Sequence, residues 1–118
     1  MIEVLVNNDS SVLIRVVQDI GMENAPLFVE DISKIDQIES KVVFLDFSKV
    51  HFVDSSGIGA LIKFSKSLKE KKSRLKLVGL NRSLHSVFKL AGLVQIFQII
   101  EPADLKDYFS ESELSGLF

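Results

Sequence analysis

A chain of 118 residues, 47% hydrophobic and 25% charged, is sized for one domain with a core of its own. It has no cysteine, which excludes disulfides and thiolate metal sites, and its two histidines would leave a metal centre resting on carboxylates that nowhere cluster at ligand spacing. The 14 Lys and Arg against 16 Asp and Glu give a net charge of −2, so no global charge draws the chain to nucleic acid.

In chain order, IEVLV (2–6) and SVLIRVV (11–17) are β-branched-rich runs separated by the turn cluster NNDS, which predicts two strands joined as a hairpin. The opening MIEVLVNNDSS lacks the basic region and long apolar core of a signal peptide. No apolar run approaches the roughly 20 residues that span a bilayer, so a cytoplasmic setting without membrane insertion is expected. Gly21 breaks the strand pattern. Asn24 is placed as an N-cap with Pro26 in the first turn, and Leu27, Phe28, Ile32 and Ile35 recur at helical spacing, so a helix is expected over about 25–35.

KVVFLDF (41–47) is almost continuously apolar, as strands buried on both faces are. HFVDSSGIGALI (51–62) then leads into a helix to about residue 72, with Ile58, Leu61, Phe64 and Leu68 on one face and Lys63, Lys66 and Glu70 on another. RLKLVGL reads as a strand, SLHSVFKLAGL as a helix closed by Gly92, and QIFQII (95–100) as the last strand. Pro102 opens a final helix in EPADLKDYF, and SESELSGLF (110–118) carries no pattern and is expected to fray. The order ββαβαβαβα predicts a single α/β domain over residues 1–109, its sheet mostly parallel with the N-terminal strand antiparallel, followed by a tail over 110–118.

In open α/β sheets function collects beyond the carboxyl ends of the strands, and Asp54, Ser55 and Ser56 lie just past such an end. A helix start needs one capping side chain, so the second serine is surplus. Gly57 allows close backbone approach and Gly59 leaves the first turn uncrowded. Capping by Asp54, Ser55 or Ser56 is one reading of these residues. Phosphorylation is another, because a phosphoserine at a helix N-terminus meets backbone donors and a favourable dipole. Catalysis fits poorly: the only histidines are His51 and His85, VDSSGIG lacks the first glycine of a G-x-S-x-G elbow, and neither phosphate-binding glycine loop is present. No enzyme, cofactor or metal is expected. Lys63, Lys66, Lys69, Lys71, Lys72, Arg74 and Lys76 fall within 14 positions, but cations offset the dipole at a helix C-terminus and no aromatic ladder for base stacking accompanies them.

The stretch VVFLDFSKVHFVDSSGIGALIKFSKSLKEKKSRLKLVGLNRSLHSVFKLAGLVQIFQI resembles the STAS domain of sulfate transporters and anti-sigma factor antagonists, and within it the small stand-alone bacterial antagonists. The resemblance runs from the first hairpin to EPADL and is densest over 42–99. It is carried by the strand ending in Asp46, by D-S-S-G at 54–57, and by LKLVGLNRSLHSVFKLAGL with Gly79 and Gly92. It implies a binding module switched by phosphorylation. In such antagonists the second serine of D-S-S-G is phosphorylated by a partner that is both anti-sigma factor and ATP-dependent serine kinase, and a metal-dependent phosphatase of the PP2C type reverses it.

Carried over by position, the resemblance makes Ser56 the acceptor, with Ser55 as alternative, and Asp54, Ser55, Ser56, Gly57, Ile58 and Asn24 the partner-binding residues. The unphosphorylated form would capture the kinase and free the sigma factor. The family often places an acid in a G-x-x-D turn before the first helix, where this chain reads Gly21-Met22-Glu23-Asn24. Two alternatives stand beside this reading. One is a STAS regulator or scaffold for another partner, in a stress-signalling or membrane-associated complex; the other is a nucleotide binder or enzyme using the 54–59 loop.

Overall fold

In a computed structural model that describes residues 1–118, five strands form one sheet in their sequence order. They are β1 (Ile2–Asn7), β2 (Ser11–Val16), β3 (Val42–Asp46), β4 (Arg74–Val78) and β5 (Gln98–Ile100). The β1–β2 pair is an antiparallel hairpin and every other pair is parallel. Asn8 makes the hairpin turn: its Oδ1 accepts from the N–H groups of Ser10 and Ser11 at 3.0 and 2.8 Å. Three helices, α1 (Ala25–Ser33), α2 (Ser55–Glu70) and α3 (Arg82–Leu90), connect the parallel strands. Each crossover steps one strand in the same direction, so right-handed connections put all three helices on one face.

That face holds the main core of 23 buried residues, in which Val43, Leu45, Leu75 and Leu77 meet Phe28 and Ile32 of α1, Leu61 and Phe64 of α2, and Leu84 and Phe88 of α3. The opposite face carries a smaller cluster of Leu13, Phe44 and Val78, covered by Leu105 and Phe109. Both faces of β3 are therefore buried, which is why KVVFLDF shows no alternation.

Four local differences from the sequence reading have physical causes. Asn24 occupies the N-cap position of α1, yet its side chain makes no cap bond. It turns backward instead, accepting from the Gly21 N–H at 2.8 Å and donating to the Asp19 carbonyl at 2.9 Å, so it closes the turn before the helix. The last strand is only Gln98–Ile100, because Leu93–Gln95 forms a 3-10 turn and Phe97 enters the main core from the connection. Gly92, at φ 74°, supplies the left-handed residue that ends α3. The segment opened by Pro102 is a 3-10 helix, Pro102–Asp107, pinned to the sheet through Leu105.

Residues 110–118, patternless in the sequence reading, contain a fourth helix, α4 (Glu111–Leu114), set by a capping box. The Ser110 hydroxyl accepts from the Glu113 N–H at 3.1 Å, and the Glu113 carboxylate accepts from the Ser110 N–H at 2.8 Å. Leu114 and Leu117 pack against the smaller cluster, and Arg15 donates to the Leu117 carbonyl at 2.6 Å.

The hydrogen bond from the Ser110 backbone, and then that from Asn8, hold the Glu113 carboxyl below the ordinary glutamate pKa. A depressed folded-state pKa means that the stabilising contribution is complete above the unfolded value and disappears as pH falls through the folded one. Acidification through that window is therefore expected to loosen α4, seen by NMR as exchange broadening at Ser110 and Glu113, and Glu113→Gln should remove the pH dependence.

Candidate functional site

The site forms where the β2–α1 and β3–α2 connections are tied together beyond the carboxyl ends of β2 and β3. Ile20 and Val53 make an isolated parallel bridge. The Ile20 N–H donates to the Phe52 carbonyl at 3.2 Å and the Asp54 N–H to the Ile20 carbonyl at 3.1 Å. Asp19 adds a side-chain clasp, its Oδ1 accepting from the N–H groups of His51 and Phe52 at 2.7 and 3.2 Å.

On this base Asp54 is the N-cap of α2. Its Oδ1 accepts from the N–H groups of Ser56 at 2.9 Å and Gly57 at 3.1 Å, while Oδ2 accepts from the Met22 N–H of the other loop at 3.0 Å. One carboxylate therefore serves the helix end and ties the two loops. Capping is done by the acid, and neither serine hydroxyl is used for it. Ser55 is exposed; Ser56 is half-buried. Ser56 lies at the mouth of a groove between α1 and α2, together with Met22, Pro26, Val29, Gly59 and Lys63.

The other predicted site residues divide by role. Asn24 braces the Gly21 turn beside the groove. Ile58 is half-buried and packs on the main core rather than projecting freely. Gly57 is buried where the first turn of α2 meets the bridge: a Cβ there would lie 2.6 Å from Val53 Cγ1 and 2.9 Å from Ile20 Cγ2. At Gly59 a Cβ would meet nothing within 4 Å. The two glycines should therefore respond oppositely. Gly57→Ala is expected to destabilise by about 1–3 kcal/mol through overpacking, and Gly59→Ala to stabilise by about 0.5–1 kcal/mol through helix propensity. Urea denaturation of both variants checks this.

Sequence reasoning missed three contributors. Met22 is 74% exposed and Phe52 57% exposed, two large apolar side chains flanking the Asp54 cap. Strand-like alternation in HFVD, with Val53 inward, was the available signal for Phe52. The third, Asp19, clasps a loop more than 30 positions away and left no local signature. His51 and His85 are both exposed, one in the loop and one on α3. No three His, Asp or Glu side chains are grouped so as to hold a metal ion, and no helix is long and apolar enough to cross a membrane.

A single α/β domain whose five-stranded sheet pairs β1 with β2 antiparallel and the remaining strands in parallel is the STAS fold. The chain belongs to the STAS domain family, whose sequence model matches residues 2–104. It is similar to the anti-sigma-B factor antagonists of Listeria monocytogenes and Listeria innocua, each 31% identical over 98 residues that span 83% of this chain and 86% of the relative. Among solved structures, the anti-sigma factor antagonist SpoIIAA in its unphosphorylated form shares the fold with a TM-score of 0.71 at 18% identity, over 91% of this chain and 94% of that one. The phosphorylated form of SpoIIAA, from Bacillus, gives 0.64 at 20% identity over 91% and 97%. An anti-sigma factor antagonist from Mycobacterium paratuberculosis gives 0.70 at 21% identity over 97% and 92%.

Proposed function

We propose that this chain is an anti-sigma factor antagonist switched by phosphorylation of Ser56. Unphosphorylated, it binds an anti-sigma factor that is also an ATP-dependent serine kinase; phosphorylated, it releases that partner, and a PP2C-type phosphatase restores it. The setting is the cytoplasm, where sigma factors act. The observation that carries the reading is the division of labour at the start of α2, where Asp54 takes the capping role and leaves the Ser56 hydroxyl uncommitted at the mouth of a groove.

That division also bears on how the switch works. The N–H groups of Ser56 and Gly57 already donate to Asp54, so a phosphate on Ser56 has no need to displace the cap and remains at the surface. Added charge there changes what a partner meets, without refolding the domain. Ser56 is favoured over Ser55 because it opens on the groove, and the likeness to a protein solved in both unphosphorylated and phosphorylated forms supports the same mechanism. In this reading Asp54 and Asn24 hold the two loops in register, Gly57 lets them close, Ile58 anchors the first turn to the core, and Ser55 and Ser56 meet the partner.

The test is direct. Incubation with the cognate kinase and ATP is expected to add one phosphate, which tandem mass spectrometry should locate on Ser56. Phosphate found mainly on Ser55, Ser10 or Ser11 overturns the assignment.

A further inference from the structure

The groove at Ser56 does not stop at the first turns of α2. It continues between α1 and α2 as a slot floored by Ile32, Ile38, Ala60 and Phe64 and edged by Lys63 and Lys71. Val29, Ala60 and Lys63 line both parts, so the two form one track. From Ser56 to Lys71 the helix rises about 22 Å.

The charge along this track is one-sided. The ion pairs within the chain are the N-terminal amine with Asp31, Arg15 with Asp46, and Lys34 with Glu30. Lys63, Lys66, Lys69, Lys71 and Lys72 therefore have no carboxylate partner, and on α1 both nearby acids, Glu30 and Asp31, are already engaged. The helix dipole accounts for cations at the end of α2. It does not account for Lys63 in mid-helix, nor for an apolar slot beneath it. Packing does not account for Gly59 either, because a side chain there would have open space. Its glycine costs helix stability and keeps the mouth of the track bare.

Resting on the functional reading above, we propose that the α1–α2 slot is the docking track for an acidic amphipathic segment of the anti-sigma factor. The segment lays apolar side chains on the Ile32, Ile38 and Phe64 floor and sets carboxylates against Lys63 and Lys71. A track continuous with Ser56 and edged by unpaired lysines favours this occupant, because complementary charge gives register and speeds encounter. It also gives the phosphate a specific action. On Ser56 it enters the same mouth as Lys63, where it repels the segment's carboxylates and competes for that cation.

The experiment measures binding of the unphosphorylated chain to its purified cognate anti-sigma factor by calorimetry, with four single variants. Lys63→Glu and Lys71→Glu are each expected to weaken binding about 10-fold or more, since like charges then face each other across the interface. Lys66→Glu, the same charge change on the same helix outside the slot, is expected to change it less than about 3-fold. Ser67→Trp fills the slot from its lip and should abolish binding while leaving the circular dichroism melt intact. The Lys63 and Lys71 effects should shrink as salt rises from about 50 to 500 mM. Wild-type binding that survives Lys63→Glu, Lys71→Glu and Ser67→Trp overturns the track alone, as does an equal loss in Lys66→Glu, which would mark a diffuse field. Absence of wild-type binding overturns the functional reading and the track together.

Discussion

Asp46→Ala is expected to lower the stability of the domain by about 3–5 kcal/mol, the cost of stripping one partner from a buried ion pair. Asp46 ends β3 and is fully buried. Its Oδ2 accepts from Arg15 Nε at 2.6 Å and from the Ser48 hydroxyl at 2.9 Å, and its Oδ1 accepts from the Ser48 N–H at 3.0 Å. The neighbouring backbone is shaped around it: Gly79 holds φ 78°, and a Cβ there would stand 2.8 Å from Oδ1. Without the carboxylate, Arg15 retains the Leu117 carbonyl and the face of Phe118, 5.1 Å from its guanidinium carbon. The Arg15 side chain is 13% exposed, so water can relieve part of the loss and the lower end of the range is expected. Asp46→Asn keeps acceptors for Ser48 while removing the charge, and should cost less. Urea denaturation gives both values. A loss below about 1 kcal/mol would mean that water, the Leu117 carbonyl and the Phe118 face together satisfy Arg15 without the carboxylate.

Asp46 and the tail it reaches through Arg15 also mark where the sequence was readable and where it was not. β3, β4 and α2 were legible because each has a period or composition that few other structures share: apolar runs for strands covered on both sides, and a 3.6-residue repeat in Ile58, Leu61, Phe64 and Leu68. β5 was drawn three residues too long because Phe97 is buried for a reason other than strand pairing, and composition cannot separate the two. The tail held its signal in plain view, S-x-x-E at 110–113, but a helix of four residues has no periodicity to support it. At the site, D-S-S-G identified the helix start and its surplus hydroxyls. It left open which residue caps, because Asp54, Ser55 and Ser56 can each cap a helix start, and the deciding bonds run from the Ser56 and Gly57 N–H groups to Asp54 Oδ1. The bond from Met22, 32 positions away, to the second Asp54 oxygen had no local signature. Asn24 was ambiguous for a similar reason: an amide can bond forward into its helix or backward into the preceding turn, and here the Gly21 N–H wins. The α1–α2 slot was beyond reach altogether, since it exists only once two helices distant in sequence have packed.

Ser56→Asp is expected to weaken binding to the anti-sigma factor, while Ser56→Ala binds as the unphosphorylated wild type does and is no longer released by kinase and ATP. Both variants should stay folded. The cap belongs to Asp54, and a half-buried hydroxyl outside that role usually contributes within about 0.5 kcal/mol; thermal melts by circular dichroism check this first. Binding is different, because in the proposed complex the start of α2 sheds water against the partner. An uncompensated charge there costs about 2–5 kcal/mol, or roughly 30-fold to several thousand-fold in affinity. Aspartate carries one charge and fewer acceptor oxygens than a phosphate, so the lower part of that range is expected. The cation that lines the groove with Ser56 is Lys63, and the reach of a short carboxylate is less than that of a phosphate. Aspartate should accordingly repel the partner without capturing the lysine, and the phosphorylated wild type should bind more weakly still. Calorimetry of the two variants and of the phosphorylated protein, with ADP and with ATP, separates these contributions. Equal affinities for alanine and aspartate would leave the STAS fold in place, remove the switch, and favour a scaffold that binds its partner through the same loops in every state.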